Sequence, residues 1–390
     1  MKSARFTPSP IRPLPYFNTY GTDAERSLAR SLRAEFVPKV RRLLPGHHLG
    51  CWRHDAVVNF VKRHKHTHPY FVKADIRQFF PGIRHRDAVV GAQLAYRDLL
   101  SLDYVPGAFK RRYVPALHAW VESLPLHRGL PLGSALSGVL APVMLLPMWL
   151  GLKRRFGCPL LVYMDDVLIC TSDALQCSEV YAYLDGYLHR EFDLAFNASK
   201  SRSGRFATAA VVFCGWEFAG GYARISADKM EAFRSRIREL VRRYRKTDVK
   251  AFVKQLNRKI DGFGHYYKFG DVRTQYRVLD QFLRQEFRRW FARTTGGSAY
   301  RREALASLGL RSLEDILNKV RHSARRPARC GERKLRPLAA APAGVANLRP
   351  PAVSGIDELA EIGRTLQRQM TQLLALQRRQ VALLTELLEA

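Results

Sequence analysis

Two adjacent aspartates stand between two short apolar runs in the segment Leu161–Cys170, LVYMDDVLIC. Each run is short and rich in β-branched residues, so the segment predicts a β-hairpin with Tyr-Met-Asp-Asp at its turn. Buried carboxylates are costly unless a positive group pairs with them. Hard divalent cations choose carboxylate oxygen, so Asp165 and Asp166 are candidate metal ligands. An Asp-Asp pair in an ordinary turn is the alternative interpretation of this segment alone.

Four other blocks flank the hairpin in the sequence. Asp75 follows the apolar segment Tyr70–Val72, and the Gly/Ser-rich turn Gly129–Gly138, GLPLGSALSG, leads into an apolar run. The segments Asn197–Lys200, NASK, and Phe213–Phe218, FCGWEF, come after the hairpin. In this order and spacing the five blocks resemble the palm domain of reverse transcriptases, and five ordered blocks are a specific signal.

This resemblance implies an α+β right-hand polymerase fold, with fingers, a palm built on an antiparallel sheet, and a helical thumb. It implies that Asp75, Asp165 and Asp166, with the backbone of Ile76, hold two Mg²⁺ ions, for which Mn²⁺ can substitute. Such a metal pair activates the primer 3′-hydroxyl and neutralises the leaving pyrophosphate. The expected activity is RNA-directed synthesis of DNA from dNTPs on an RNA template, with a DNA primer.

The resemblance also assigns residues that contact the nucleotide and the nucleic acids. Phe80 occupies the family position beneath the sugar, where a bulky ring excludes a ribose 2′-hydroxyl. Because neighbouring strand residues point to opposite faces, one of Phe79 and Phe80 is expected in the core. The implied nucleotide-binding residues are Arg12, Phe80, Gly133 and Lys200. The implied nucleic-acid-binding residues are Arg53, Ser137, Tyr163, Gly215, Lys259, His265, Tyr266 and Lys268.

Composition and resemblance together divide the chain into five parts. Because the sequence begins almost at the fingers arginine, the fingers are expected to be reduced. The expected parts are residues 1–70, reduced fingers; 71–225, palm with the remaining fingers elements; 226–323, helical thumb; 324–355, flexible basic linker rich in Pro, Arg and Ala; and 356–390, coiled-coil helix. The expected elements include helices over Asp23–Leu44, Ala88–Trp120, Ser178–Phe192 and Lys229–Arg245, and a strand-turn-strand unit over Val211–Ile225.

The charge balance predicts a polyanionic partner. Lys and Arg number 65 against 34 Asp and Glu, a formal net charge of +31, which exceeds what a solvated surface needs. RNA and DNA are therefore the expected partners. The six cysteines form no CxxC pair and several stand in apolar stretches, which indicates reduced thiols in a cytoplasmic protein, and the family resemblance implies a bacterial one. The apolar run Val139–Leu152 contains two prolines and is too short to span a bilayer, so no membrane association is expected.

Histidines are concentrated before the first predicted strand. Their spacing matches no familiar zinc site, so the favoured interpretation is a histidine-rich surface that faces nucleic acid beside Lys62, Arg63 and Lys65. Zinc binding is the alternative. The residues are His47, His48, Cys51, His54, His64, His66 and His68.

The C-terminal segment Ile356–Ala390 carries a heptad repeat. About four heptads of apolar residues predict a coiled coil that makes a homo-oligomer, and packing on the body of the same chain is the alternative. The seam residues are Leu359, Ile362, Leu366, Leu373, Leu376, Leu383 and Leu387, with Gln369 and Gln380 at the two remaining positions.

Three function classes compete. An active polymerase is favoured over an RNA-binding maturase-like scaffold, since a scaffold does not need three aspartates, a glycine loop and a lysine. Template-independent or protein-primed synthesis is a third class. The glycine loop, with Leu132 and Gly138, resembles enzymes of diversity-generating retroelements, whereas Phe252–Phe291 resembles the thumb of group II intron maturases. The subfamily, with retron-like enzymes included, and a role in a retroelement or in anti-phage defence are left open.

Overall fold

Two antiparallel sheets and the helices around them form the described part of the chain. The computed structural model describes residues 22–51, 55–125, 128–244, 248–295 and 309–325. All of them belong to one compact unit, Met1–Pro327, and the second unit, Ala328–Ala390, lies outside the described residues. The predicted coiled coil over 356–390 and nearly all of the predicted linker over 324–355 therefore lie outside the described residues.

The first sheet is built around the predicted hairpin. Its strands are β1 (Tyr70–Asp75), β2 (Leu160–Tyr163), β3 (Asp166–Thr171) and β4 (Arg202–Arg205), in the antiparallel order β2-β3-β1-β4. In the two central strands almost every residue from Phe71 to Ala74 and from Val167 to Thr171 is buried. Their continuous apolar runs fit a sheet that is covered on both faces.

Helices cover this sheet and supply most of the main core. Their inward residues include Phe36, Leu117, Met144, Trp149 and Leu184, which are fully buried. The helices are α1 (Asp23–Leu43), α2 (His48–Cys51), α3 (Ala56–His64), α4 (Phe79–Gly82), α5 (His85–Leu99), α6 (Gly107–Glu122), α7 (Ser137–Met144), α8 (Leu146–Phe156) and α9 (Ala174–Tyr187), with a π-helical turn over Leu188–Phe192 after α9.

The apolar run Val139–Leu152 is divided between α7 and α8. The division falls at Leu145, and Pro147 occupies the first turn of α8, where its missing N–H costs no helical hydrogen bond. Among the described residues, no helix combines the length and the apolar character that a membrane crossing requires.

In the described ranges, a second sheet and four helices pack with α3 and one face of the first sheet to form a second core. The strands are β5 (Val211–Phe213), β6 (Trp216–Ala219) and β7 (Tyr222–Ile225), and the helices are α10 (Ala227–Arg243), α11 (Val249–Tyr267), α12 (Arg273–Thr295) and α13 (Leu313–Arg325). Trp216, Phe252, Tyr276 and Trp290 are buried between them. The predicted strand-turn-strand unit thus contains three strands, because Cys214 and Gly215, with φ of 50° and 80°, make a second tight turn.

The segment after β1 differs from its prediction. Phe79 and Phe80 were expected to alternate on a strand, but both lie in helix α4, which follows Gln78 in the left-handed conformation with φ of 47°. Phe79 is buried and Phe80 is half-buried, so the expectation that one ring is in the core holds. The predicted cause, alternation along a strand, was wrong. The two rings point in different directions because successive side chains are rotated around the helix axis.

Candidate active site

The sheet brings the three predicted aspartates to one edge. Asp75 ends β1 and Asp166 begins β3, and the two are directly paired residues of neighbouring antiparallel strands. Asp165 occupies the turn beside them, and its backbone oxygen accepts a hydrogen bond of 3.2 Å from the Ile76 N–H. Directly paired residues have their Cβ atoms about 5 Å apart, so these carboxyl groups act on one another electrostatically.

Two lysines pair with these carboxylates. Lys200 Nζ lies 3.3 Å from Asp75 Oδ2, and Lys73 Nζ lies 3.1 Å from Asp166 Oδ1. Lys73 also donates a hydrogen bond of 3.3 Å to the backbone oxygen of Lys200. Lys200 was predicted and Lys73 was missed. The signal was available, because Lys73 precedes Asp75 by two residues on one strand and so shares its face.

Burial raises the pKa of both aspartates in the turn. For Asp165 the nearby Asp75 adds to this effect, whereas Lys200 and Lys73 oppose it. For Asp166 burial raises the pKa to about 6, against the lowering by Lys73, with Asp75 and Asp165 adding to the rise. The fold therefore holds three mutually repelling carboxyl groups in a place where added positive charge is favourable.

The donor set fits a hard divalent cation in its chemistry. Three carboxylates and the adjacent Ile76 backbone offer the oxygen ligands that Mg²⁺ prefers. Burial, together with the neighbouring carboxylates, raises the pKa of Asp165 and of Asp166, so a cation between them would be favourable. Within the described ranges no three His, Cys, Asp or Glu side chains stand ready as a complete ligand group. Lys73 and Lys200 supply the counter-charge in this structure, so a cation would compete with them for the carboxylates.

The glycine loop is held by its own serine. Ser134 Oγ accepts hydrogen bonds from the backbone N–H of Leu136, at 3.2 Å, and of Ser137, at 3.1 Å, and it bonds with the Glu25 carboxylate of α1. Gly133 has a φ of 90°, which favours glycine. Phe80 adjoins this loop, because its backbone oxygen accepts a hydrogen bond of 2.9 Å from Leu130.

The turn in FCGWEF contacts helix α11. Tyr266 Oη donates a hydrogen bond of 3.0 Å to the Cys214 backbone oxygen, beside Gly215. The ring of Trp216 stacks with that of Tyr266 at 6.4 Å and meets Tyr267 edge-on at 4.9 Å. The packing of α11 therefore places Tyr266 at the turn around Gly215, a residue predicted to contact nucleic acid.

Two histidines, His47 buried and His48 half-buried, lie behind the Tyr-Met-Asp-Asp turn. His47 is fully buried and stacks on His48 with ring centroids 4.8 Å apart. His48 Nδ1 accepts a hydrogen bond of 3.2 Å from the Met164 backbone N–H. The expectation that these histidines form a surface facing nucleic acid was wrong for His47, because its apolar surroundings exclude solvent. The side chains of Cys51 and His54 lie outside the described residues.

Comparison with known families decides the identity of the chain. The family described as reverse transcriptase (RNA-dependent DNA polymerase) matches residues 2–218, more than half of the 390 residues. The chain belongs to the reverse transcriptase family. A second family, described as the group II intron maturase-specific domain, matches residues 230–306. The predicted membership of a reverse transcriptase and maturase family is confirmed, and so is the α+β class with antiparallel sheets.

Solved telomerase structures are similar to this reverse transcriptase at low identity. Telomerase from Candida albicans in complex with the TWJ fragment of telomeric RNA is 10% identical over 75% of this chain and 54% of that chain, with a TM-score of 0.39. Apo telomerase from Candida tropicalis is 11% identical over 75% and 54%, with a TM-score of 0.41. The chain thus spans about half the length of these telomerases. No curated protein sequence matches it significantly.

The remaining predicted residues of this reverse transcriptase fall into three groups. Tyr163 ends β2 beside the aspartates and is 46% exposed. Lys259 and His265 are exposed on α11, and Lys268, which follows the helix, lies 3.5 Å from the His265 ring. Arg12 and Arg53 lie outside the described residues.

Proposed function

We propose that this reverse transcriptase is an active RNA-directed DNA polymerase that extends a DNA primer with dNTPs. The observation that carries the proposal is the direct pairing of Asp75 with Asp166, beside Asp165, at one edge of the sheet. These carboxylates and the Ile76 backbone would hold two Mg²⁺ ions, or Mn²⁺ in their place. Such ions, when bound, neutralise charge on the reacting phosphates.

The chain's own residues supply the rest of the site in this proposal. The side chain of Lys200 is 61% exposed, so its ammonium group can leave the Asp75 carboxylate and bind a nucleotide phosphate. Gly133 lets the loop backbone approach the nucleotide closely, because no side chain stands there. Phe80 packs beneath the sugar and excludes a 2′-hydroxyl, and Arg12 would contact the triphosphate. Each of these residues binds or orients the substrate rather than transferring a proton.

The basic helices support binding to an RNA template and a DNA primer. Lys250, Lys254, Arg258 and Arg311 line a groove of about 350 Å³ along α11, with Asn257 and Asp261. Lys259 precedes Tyr266 by seven residues, which is close to two helical turns. The two residues therefore lie on the same side of α11, the side that meets the FCGWEF turn. Lysine and arginine bind phosphates, and exposed aromatic rings stack on bases. We propose that Arg53, Tyr163, His265 and Lys268 contact the same nucleic acids. Ser137 and Gly215 are buried, so we propose that they act through the loop and the turn that they form.

The decisive experiment removes the carboxylates and measures synthesis and RNA binding on one preparation. Asp165→Ala with Asp166→Ala is expected to abolish primer extension on a defined RNA template and to leave RNA affinity unchanged, since the basic surfaces are intact. A matched control is Asp193→Ala, which removes an exposed carboxylate and should leave both unchanged. Synthesis by the double variant would refute the site.

The same assay separates the competing functions. Wild-type protein that binds RNA but extends no primer would be a scaffold, and extension without a template would indicate template-independent synthesis. Product that requires the RNA template and dNTPs supports the proposal. Sequencing the product and comparing it with the template distinguishes templated from template-independent synthesis directly.

We also propose a biological setting and an assembly. The mixture of retroelement-like and maturase-like blocks supports a bacterial, cytoplasmic enzyme of a retroelement or of an anti-phage defence system, acting with its own noncoding RNA. The heptads in 356–390 support a homo-oligomer. Light scattering on the full chain and on a chain truncated after Gly355 tests the assembly, and equal oligomeric states would refute it.

A further inference from the structure

The catalytic turn rests on a strained residue. Tyr163 and Asp166 pair across the hairpin, so Met164 and Asp165 form a two-residue connection. Met164 has a φ of 57°, a left-handed conformation that this kind of turn ordinarily gives to glycine. A methionine side chain keeps this conformation only where its surroundings fix the backbone. The direction of the Asp165 and Asp166 side chains follows from the backbone of that residue.

His48 supplies such a constraint. Its Nδ1 accepts a hydrogen bond of 3.2 Å from the Met164 N–H, and its ring lies 5.5 Å from that of Tyr163. The segment before it is docked along β2: Val162 donates a hydrogen bond of 3.0 Å to the Gly46 backbone oxygen. His47 forms a parallel bridge with Val162 and stacks on the His48 ring. These backbone contacts of residues 46 and 47 with Val162 therefore hold the His48 imidazole beside the turn.

The chemistry of the imidazole suits an acceptor at this position. A hydrogen bond from the Met164 N–H requires that Nδ1 is unprotonated and that the neutral ring carries its proton on Nε2, which has no hydrogen-bond partner among the described residues. Burial lowers the pKa of His48 to about 4, against an interaction with the Val162 backbone that raises it, so the ring is neutral at physiological pH. A neutral acceptor adds no charge beside the three carboxylates.

We propose that His48 is a positioning residue of the polymerase, which fixes the Met164 backbone and through it the direction of Asp165 and Asp166. This inference rests on the proposed polymerase function. His48 acts through the turn and touches no reacting atom. Its role differs from a packing role, because it depends on one acceptor nitrogen at one place in the ring.

Three variants test the role in catalysis. In primer extension with saturating RNA and primer, His48→Leu is expected to lower kcat by about 10- to 100-fold, as small misplacements of catalytic groups do, with KM for dNTPs and RNA affinity unchanged. His48→Asn places an amide oxygen near the position of Nδ1 and is expected to restore most of kcat. His47→Leu removes the neighbouring buried imidazole and is expected to lower the melting temperature while keeping kcat.

A second measurement does not depend on activity. In protein labelled with ¹⁵N-methionine, the Met164 amide, assigned by Met164→Leu among the six methionines, is expected to exchange slowly with solvent in the wild type. It should exchange rapidly in His48→Leu and slowly in His48→Asn and His47→Leu. A failure of the polymerase proposal would leave this pattern unchanged, so the two hypotheses fail separately.

The overturning results are specific. Positioning through Nδ1 would be refuted by an unchanged kcat in His48→Leu or by an equal loss of kcat in His47→Leu and His48→Leu. It would also be refuted if His48→Asn failed to restore activity. Rapid Met164 exchange in the wild type would do so without any variant. If His48→Leu does not fold, the wild-type exchange and the activity of His48→Asn decide the question.

Discussion

Lys73 and Asp166 lie on the two central strands of the sheet, with Lys73 Nζ 3.1 Å from Asp166 Oδ1. The second pair at the site, Lys200 and Asp75, has a similar separation of 3.3 Å. The two lysines differ in exposure: the side chain of Lys73 is 12% exposed and that of Lys200 is 61% exposed. Because solvent screens an exposed pair, the first pair should contribute more to folding than the second.

A double-mutant cycle tests this difference. With divalent metal removed by a chelator, Lys73→Met is expected to lower the free energy of unfolding, because it leaves the partly buried Asp166 carboxylate without its ammonium partner. In the Asp166→Asn background the same change should cost much less, with a coupling of about 1–3 kcal/mol. Urea unfolding of the four proteins measures it.

The Lys200–Asp75 pair is the matched control for that cycle. Lys200→Met and Asp75→Asn are expected to couple by less than about 1 kcal/mol, because the ammonium group is exposed. Equal coupling energies in the two cycles would contradict the interpretation that burial distinguishes the lysines.

The sequence predicts the hairpin that carries Asp165 and Asp166 well and its surroundings less well. Apolar runs on both sides of Asp165 and Asp166 locate β2 and β3 because strand periodicity is local. The position of Lys73 on the same strand face as Asp75 could be predicted locally, but its pairing with Asp166, 93 positions away, depends on the register of β1 against β3. His47 was wrongly expected at the surface for a similar reason: nothing local in the sequence indicates that its segment docks along β2.

Phe80→Ala is expected to admit ribonucleotides. The half-buried Phe80 ring adjoins the glycine loop, and its removal opens space for a 2′-hydroxyl without changing a carboxylate. Incorporation of ribonucleotides relative to deoxynucleotides should rise by about 10- to 200-fold, the range for a steric contact of this size. Phe79→Leu is the control, since Phe79 is buried in the core and should affect stability without changing the ratio.

Glu35 predicts a pH dependence of stability away from the active site. Burial raises the pKa of Glu35, but hydrogen bonds from Lys39, at 2.6 Å, and from Tyr96, at 2.8 Å, outweigh it and lower the pKa below 4.5. A depressed folded-state pKa stabilises the fold above the unfolded value, and this contribution is lost as pH falls through the folded value.

Glu35→Gln should therefore destabilise the protein at pH 7 by about 1 kcal/mol. The difference from wild type should shrink toward the lowest pH at which both proteins are folded. Denaturant unfolding across this range measures it. Glu179→Gln, at an exposed position of α9, is the control and should give no pH-dependent difference. A constant difference for Glu35→Gln would mean that shape rather than charge matters there.

Gly46 is required by the close approach of its segment to strand β2. A Cβ at this position would overlap the backbone oxygen of Leu160, which cannot move without displacing the strand that leads into the Asp165–Asp166 turn. Gly46→Ala is expected to lower the free energy of unfolding by about 1–3 kcal/mol, as overpacking does. It should also reduce primer extension by the folded protein, because β2 leads into Tyr163 and Met164.

Gly138→Ala is the matched control: a Cβ there meets no atom within 4 Å, so stability should be unchanged or slightly higher. Thermal unfolding and single-turnover extension on both variants test the prediction, and equal behaviour of the two would show that the segment before His48 is not held closely against the strand.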